Sequence, residues 1–201
     1  MIPNLSPYAR VLVSERHRAL IRTGAGSTEI VVQDYRTGET NRIIKLPAGS
    51  GSGSMAVSPD HHWLYVAYYN PAGPQGAPTN SLVEINLLMP EEPRLIGIPN
   101  SISRIMPTDG RLVILNVNGT TLSAPYLLRV LDAASGRLGP TKTVSNYPVA
   151  ASAEQTSVFA LGTVAATMEE TFRHTFDPVT LNPNSEMEKG SQCGRGCGHG
   201  D

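Results

Sequence analysis

Two cysteines and a histidine stand close together at the end of this 201-residue chain, in CGRGCGHG: Cys193, Cys197 and His199. Thiolates and imidazole are zinc ligands, and Asp201 could be a fourth donor. The pattern Cys-x-x-x-Cys-x-His is unusual for zinc sites, and it is not the Cys-x-x-Cys-His of haem attachment. The surrounding run is glycine-rich and lacks apolar anchors, so residues 184–201 are read as a disordered tail. No cofactor is predicted beyond a zinc ion in that tail.

The remaining reactive residue types make no constellation. His61 and His62 are adjacent, so on a strand they would point to opposite sides, and at a turn they are solvated. His17 and His174 are isolated. Ser58 is followed by Pro and Asp, with no nucleophile elbow around it. The run AGSGSGSM, with Gly49, Gly51 and Gly53, would need a preceding strand and a following helix to cradle a phosphate, and AVSPD after it reads as strand and turn. A net charge of -1 leaves no basic footprint for nucleic acid or an anionic membrane. No stretch approaches the ~18 apolar residues of a membrane span. The first residues show no basic segment followed by an apolar one, so no secretory signal is read, and the compartment stays open.

What must position any site is a set of repeated elements. Asp34, Asn86, Asp132 and Asp177 each follow an apolar run and precede a second one, stepping by 52, 46 and 45 residues. A second series of polar turns, at Arg16, Asp60, Asp109 and Glu154, steps by 44, 49 and 45. A period of 40 to 50 residues marks propellers and solenoids. Within the first unit, strands are predicted over 10–14, 18–22, 29–33 and 41–46, with Asp34 and Gly38 closing the last hairpin. Four-stranded antiparallel units repeated radially describe a β-propeller. The fold predicted is therefore all-β, with about four blades (9–47, 54–98, 102–147 and 149–183) in a partial or open propeller. Residues 1–8 could close the last blade, whose own tail offers no apolar fourth strand. A short helix over 164–174 is the local alternative, from the helix formers in TVAATMEETFRHTF.

These units also carry a resemblance. VSPDHHWLYVAYYN is similar to the YVTN-type repeat, with His61 and His62 where that pattern has Gly-Lys and Tyr68 where it has Asn. EIVVQDYRTGETNRIIKLP resembles the companion half of the same repeat. The resemblance implies a WD40-like propeller, a fold that usually has about seven blades. It also implies, by analogy of scaffold alone, the possibility of an enzyme or electron-transfer subunit of the lactonase, amine dehydrogenase or haem d1 kind.

Strand order sorts the loops into two faces. Turns between strands one and two, and between three and four, are tight. Connections between strands two and three, and between blades, are longer and richer in Gly and Pro, which favours a site there. That face is expected to offer Arg22, Tyr68, Tyr69, Asn70, Asn80, Arg104, Asn116 and Tyr147. Neutral Tyr and Asn suit recognition better than bond cleavage, which wants paired titratable groups. The expectation is a non-catalytic module that binds a protein or another ligand, or associates with itself through blade edges. The alternatives are the enzyme above and a truncated propeller whose site lies elsewhere.

Overall fold

The computed structural model describes residues 10–24, 27–46, 52–70, 79–89, 92–117, 126–144, 147–151, 157–164 and 167–189. The predicted units form four antiparallel sheets, each a consecutive meander. Blade 1 comprises β1 (Arg10–Ser14), β2 (Ala19–Thr23), β3 (Glu29–Asp34) and β4 (Thr40–Lys45). Blade 2 comprises β5 (Ser52–Val57), β6 (Trp63–Asn70), β7 (Thr79–Asn86) and β8 (Arg94–Ile98). Blade 3 has β9 (Ile102–Pro107), β10 (Leu112–Val117) and β11 (Tyr126–Asp132), with its outer strand broken into β12 (Arg137–Leu138) and β13 (Lys142–Val144). Blade 4 comprises β14 (Tyr147–Ala151), β15 (Ser157–Val164), β16 (Thr167–Phe176) and β17 (Pro183–Lys189).

Alternation along each strand gives every blade two faces, and those faces stack in chain order. Ile21, Ile30 and Ile44 of blade 1 bury against Leu64, Val66 and Ile85 of blade 2. The opposite face of blade 2, with Tyr65, Leu82 and Ile96, packs on Val113, Leu115 and Leu131 of blade 3. Leu128 and Val130 of blade 3 meet Phe176 and Leu181 of blade 4. The first strands β1, β5, β9 and β14 neighbour one another in that order, so strand one lies innermost and the blades radiate from it. This is a β-propeller arrangement of four sheets. Among the described residues, blades 1 and 4 share no hydrophobic cluster.

Each hairpin of strands three and four closes as its sequence foretells. The Asp34 carboxylate accepts from the Arg36 and Thr37 amides, Asn86 Oδ1 from Leu88 and Met89, Asp132 from Ala134 and Ser135, and Asp177 from Val179 and Thr180. These amide donors hold the Asp34 and Asp177 carboxyls below the usual carboxylate range; at Asp132 the Ser135 hydroxyl leads the same effect. Gly38 and Gly136 take φ of 76° and 77° at the end of the turn, where a side chain is disfavoured. Blade 4 puts Leu181 in that place, at φ 63°.

Two expectations change at blade 4. Where a helix over 164–174 was the alternative, the described residues Val164 and 167–174 are strand, and β16 is paired on both sides, with β15 and β17. The sequence reading ended the blades at 183, yet β17 supplies a fourth strand through Lys189. Its register, Phe172 with Lys189 and Arg173 with Glu188, is a backbone ladder, and an edge strand needs no apolar content to make one. Residues 1–8 and the cysteine cluster lie outside the described residues.

Candidate functional site

The tight-turn face is held together by side chains that cross from one blade to the next. Arg42, on the outer strand of blade 1, donates to the carbonyls of Asn86 and Met89 at 3.0 and 3.1 Å, in the hairpin turn of blade 2. Arg94 of blade 2 donates to the Ala133 and Ala134 carbonyls of blade 3 at 2.8 and 3.0 Å. Arg137 of blade 3 donates to the Val179 carbonyl of blade 4. Arg42 and Arg94 each stand eight positions after the turn Asp34 or Asn86 of their own blade. The same latch is thus built three times.

The turns between strands one and two add a second device. His61 (φ 61°) and Arg111 (φ 64°) both occupy left-handed backbone, which disfavours any residue with a Cβ. Each sends its side chain back to the preceding blade. The His61 ring lies 3.0 Å from Ser14 Oγ, and the His17 ring meets the His61 carbonyl at 2.8 Å. Arg111 donates twice to Glu84, at 3.2 and 2.6 Å, with its guanidinium 4.2 Å from the centre of the Trp63 ring. Glu84 is buried in the sheet of blade 2 and also faces Arg94 at 3.4 Å. Burial pushes the neighbouring Tyr65 phenol up, and its hydroxyl makes no hydrogen bond among the described residues. The ion pairs between described residues, at Glu84 and between Asp60 and His62, all fall on this face. Ser58, considered as a nucleophile, is buried: its hydroxyl bonds the Asp60 carboxylate and accepts from the Trp63 amide. His61, expected to be solvated at its turn, is instead engaged with blade 1, and Glu84 belongs to no sequence motif. An acid between Val83 and Ile85 in an apolar run was the available signal.

The loop-rich face distributes the expected binding residues unevenly. Tyr69, one residue before the end of β6, has 43% of its surface exposed, and its register partner across the sheet is Asn80. Asn70 is next along the strand, half-buried. Tyr69 and Asn80 form the pair that the fold brings together, whereas alternation turns Asn70 to the opposite face of the sheet. Tyr68 does not join them: alternation turns its ring into the packing between blades 1 and 2, where burial raises its pKa. Asn116 is likewise buried, in register with Arg104 on the face of blade 3 that looks to blade 4, and its Oδ1 has no partner among the described residues. Arg22 lies on the outer face of blade 1, donating to Gln33 Oε1 at 2.9 Å. Tyr147 begins β14 on the innermost position of blade 4. Among the described residues no three of His, Cys, Asp and Glu gather where a metal could be held.

No protein-family model matches the chain, and no curated protein does. Solved structures do. Hydrazine synthase of Kuenenia stuttgartiensis aligns at 16% identity and a TM-score of 0.58, over 89% of this chain and 48% of that one. The β-propeller domain of Cps50 (Swd1) from Myceliophteria thermophila aligns at 13% identity and 0.58, over 94% and 57%. An oligogalacturonate lyase solved in complex with manganese aligns at 16% identity and 0.59, over 89% and 51%. The likeness is one of fold, and this chain spans about half the length of each.

Proposed function

We propose that the chain is a segment of a YVTN-type propeller and acts as a non-catalytic binding module, with its contact surface at the loop-rich end of blade 2. The observation that carries this reading is a division of labour between the faces. On the tight-turn face the arginines, His61 and Glu84 are engaged in joining blades. At the opposite end an exposed tyrosine stands beside an amide, Tyr69 with Asn80, on paired strands that fix their spacing. Tyrosine supplies contact area at low entropic cost and asparagine supplies adaptable hydrogen bonds, the combination that recognises peptide or protein surfaces.

The test is isothermal titration against a panel of peptides and, separately, of oligosaccharides. For a peptide that binds, Tyr69→Ala is expected to weaken affinity tenfold or more, about 1.4 kcal/mol, with the melting temperature unchanged. Binding indifferent to Tyr69→Ala and Asn80→Ala removes the surface from consideration. Turnover of an oligosaccharide by the chain overturns the non-catalytic reading.

A further inference from the structure

The boundary between blades 3 and 4 carries buried polar atoms that find no partner. His174 of β16 is 3% exposed and Asn116 of β10 is 4% exposed. Both ring nitrogens of His174, and Oδ1 of Asn116, lack a hydrogen bond among the described residues. His174 stands two positions before Phe176 on β16, so alternation gives it the face that Phe176 buries against Leu128 and Val130 of blade 3. In such a layer an unpartnered imidazole belongs as the neutral ring, because burial without a partner costs a charged group far more than a neutral one.

The charges that face this ring among the described residues are positive. From β13 comes Lys142, whose ammonium lies 5.8 Å from the centre of the Phe176 ring and donates to the Asn184 carbonyl at 2.7 Å. From the same face of blade 3, β9 presents Arg104, β10 Asn116 and β11 Tyr126. Arg137 of β12 goes to the Val179 carbonyl. The carboxylates beside the hairpin turns, Asp132 and Asp177, are taken up by their own turn amides. Within blade 4, β15 sets Val158 in register with His174 and contains no titratable residue, while β17 sets Met187 there and Glu188 one position off, against Arg173. Burial, with the Lys142 charge adding to it, holds the His174 pKa below the ordinary histidine value of 6.5. A folded-state pKa below the unfolded one means that the stability resting on the neutral ring is complete above about pH 6.5 and is lost as the pH falls beneath it.

We propose that the boundary between blades 3 and 4 is an acid-sensitive joint: a proton taken up by His174 parts blade 4 from blade 3, while blades 1 to 3 stay stacked. Opening brings water to the ring and moves the imidazolium away from Lys142. The histidines at the boundary of blades 1 and 2 are placed differently, since His61 meets Ser14 Oγ, His17 meets the His61 carbonyl and His62 faces the Asp60 carboxylate. The joint is separate from the ligand surface at Tyr69, and either can fail without the other.

Methyl NOE spectra of the 201-residue chain, followed from about pH 7.5 down to about pH 5, test the proposal. Contacts of Leu128 and Val130 with Leu181 are expected to disappear on acidification, the opening constant rising by up to about tenfold per pH unit, while those of Ile30 and Ile44 with Leu64 and Val66 persist. His174→Gln, which has no charge to gain, should keep the Leu128 and Val130 contacts throughout. If that variant does not fold, the ring resonances of His174 in the unaltered chain decide: the ring should stay neutral until those contacts are lost. Contacts that survive at about pH 5, loss at every boundary together, or the same acid response in His174→Gln overturns the proposal. A ring that takes up a proton with the contacts to Leu181 intact does the same.

Discussion

Replacing Glu84 with alanine is expected to lower the free energy of unfolding by about 3–5 kcal/mol, read from urea titration. Its carboxylate is only 2% exposed and takes two hydrogen bonds from Arg111. Removing it strands that guanidinium between blades 2 and 3, over the Trp63 ring and on a backbone of φ 64°. Arg94 contributes less, since its side chain is 42% exposed and retains the Ala133 and Ala134 carbonyls. Against a total stability of about 5–15 kcal/mol the loss is large. The sign depends on leaving one charge behind. Glu84→Leu combined with Arg111→Met is therefore expected to recover most of the deficit, because apolar groups of similar volume replace a buried ion pair at little cost. A loss below about 1 kcal/mol for Glu84→Ala would mean that the pair behaves like a solvated surface bridge.

The second large effect lies between blades 3 and 4. A β-carbon added to Gly139 would stand 2.7 Å from Leu181 Cβ, and closer still to the Leu181 carbonyl oxygen. Leu181 has little freedom to withdraw. Its side chain is fully buried, its φ is 63°, and its amide donates to the Asp177 carbonyl at 2.8 Å. Gly139 is fixed in turn by the hydrogen bond that its amide donates to the Val130 carbonyl at 2.8 Å. Gly139→Ala is expected to destabilise by about 1–3 kcal/mol through overpacking, seen as a lower urea midpoint with an unchanged slope. A neutral result would show that the two blades separate easily there.

The parts of this molecule that could be read from sequence are those whose signal is local. An Asp or Asn with its turn bonds amides two and three residues on, so Asp34, Asn86, Asp132 and Asp177 announced their hairpins without reference to the rest of the chain. Strand boundaries in blade 1 followed for the same reason. The inter-blade latches were opaque because Arg42 and Asn86 meet only after two sheets stack, 44 residues apart in the chain. Tyr68 and Asn116 are expected on the loop-rich face, yet both lie on strands, β6 and β10, where alternation carries them inward. Tyr69, one position on from Tyr68, faces out by the same rule. Leu181 takes the place of Gly38 and Gly136 in the fourth hairpin, and burial beside Gly139 is the context that holds it.

The most direct test of the stacked-blade architecture is a methyl NOE map of the chain in solution. Contacts are expected from Ile21, Ile30 and Ile44 to Leu64, Val66 and Ile85, from Leu82 and Ile96 to Val113 and Leu115, and from Leu128 and Val130 to Leu181. Methyls of blade 1 in contact with those of blade 3, or no contacts between successive sheets, would contradict it.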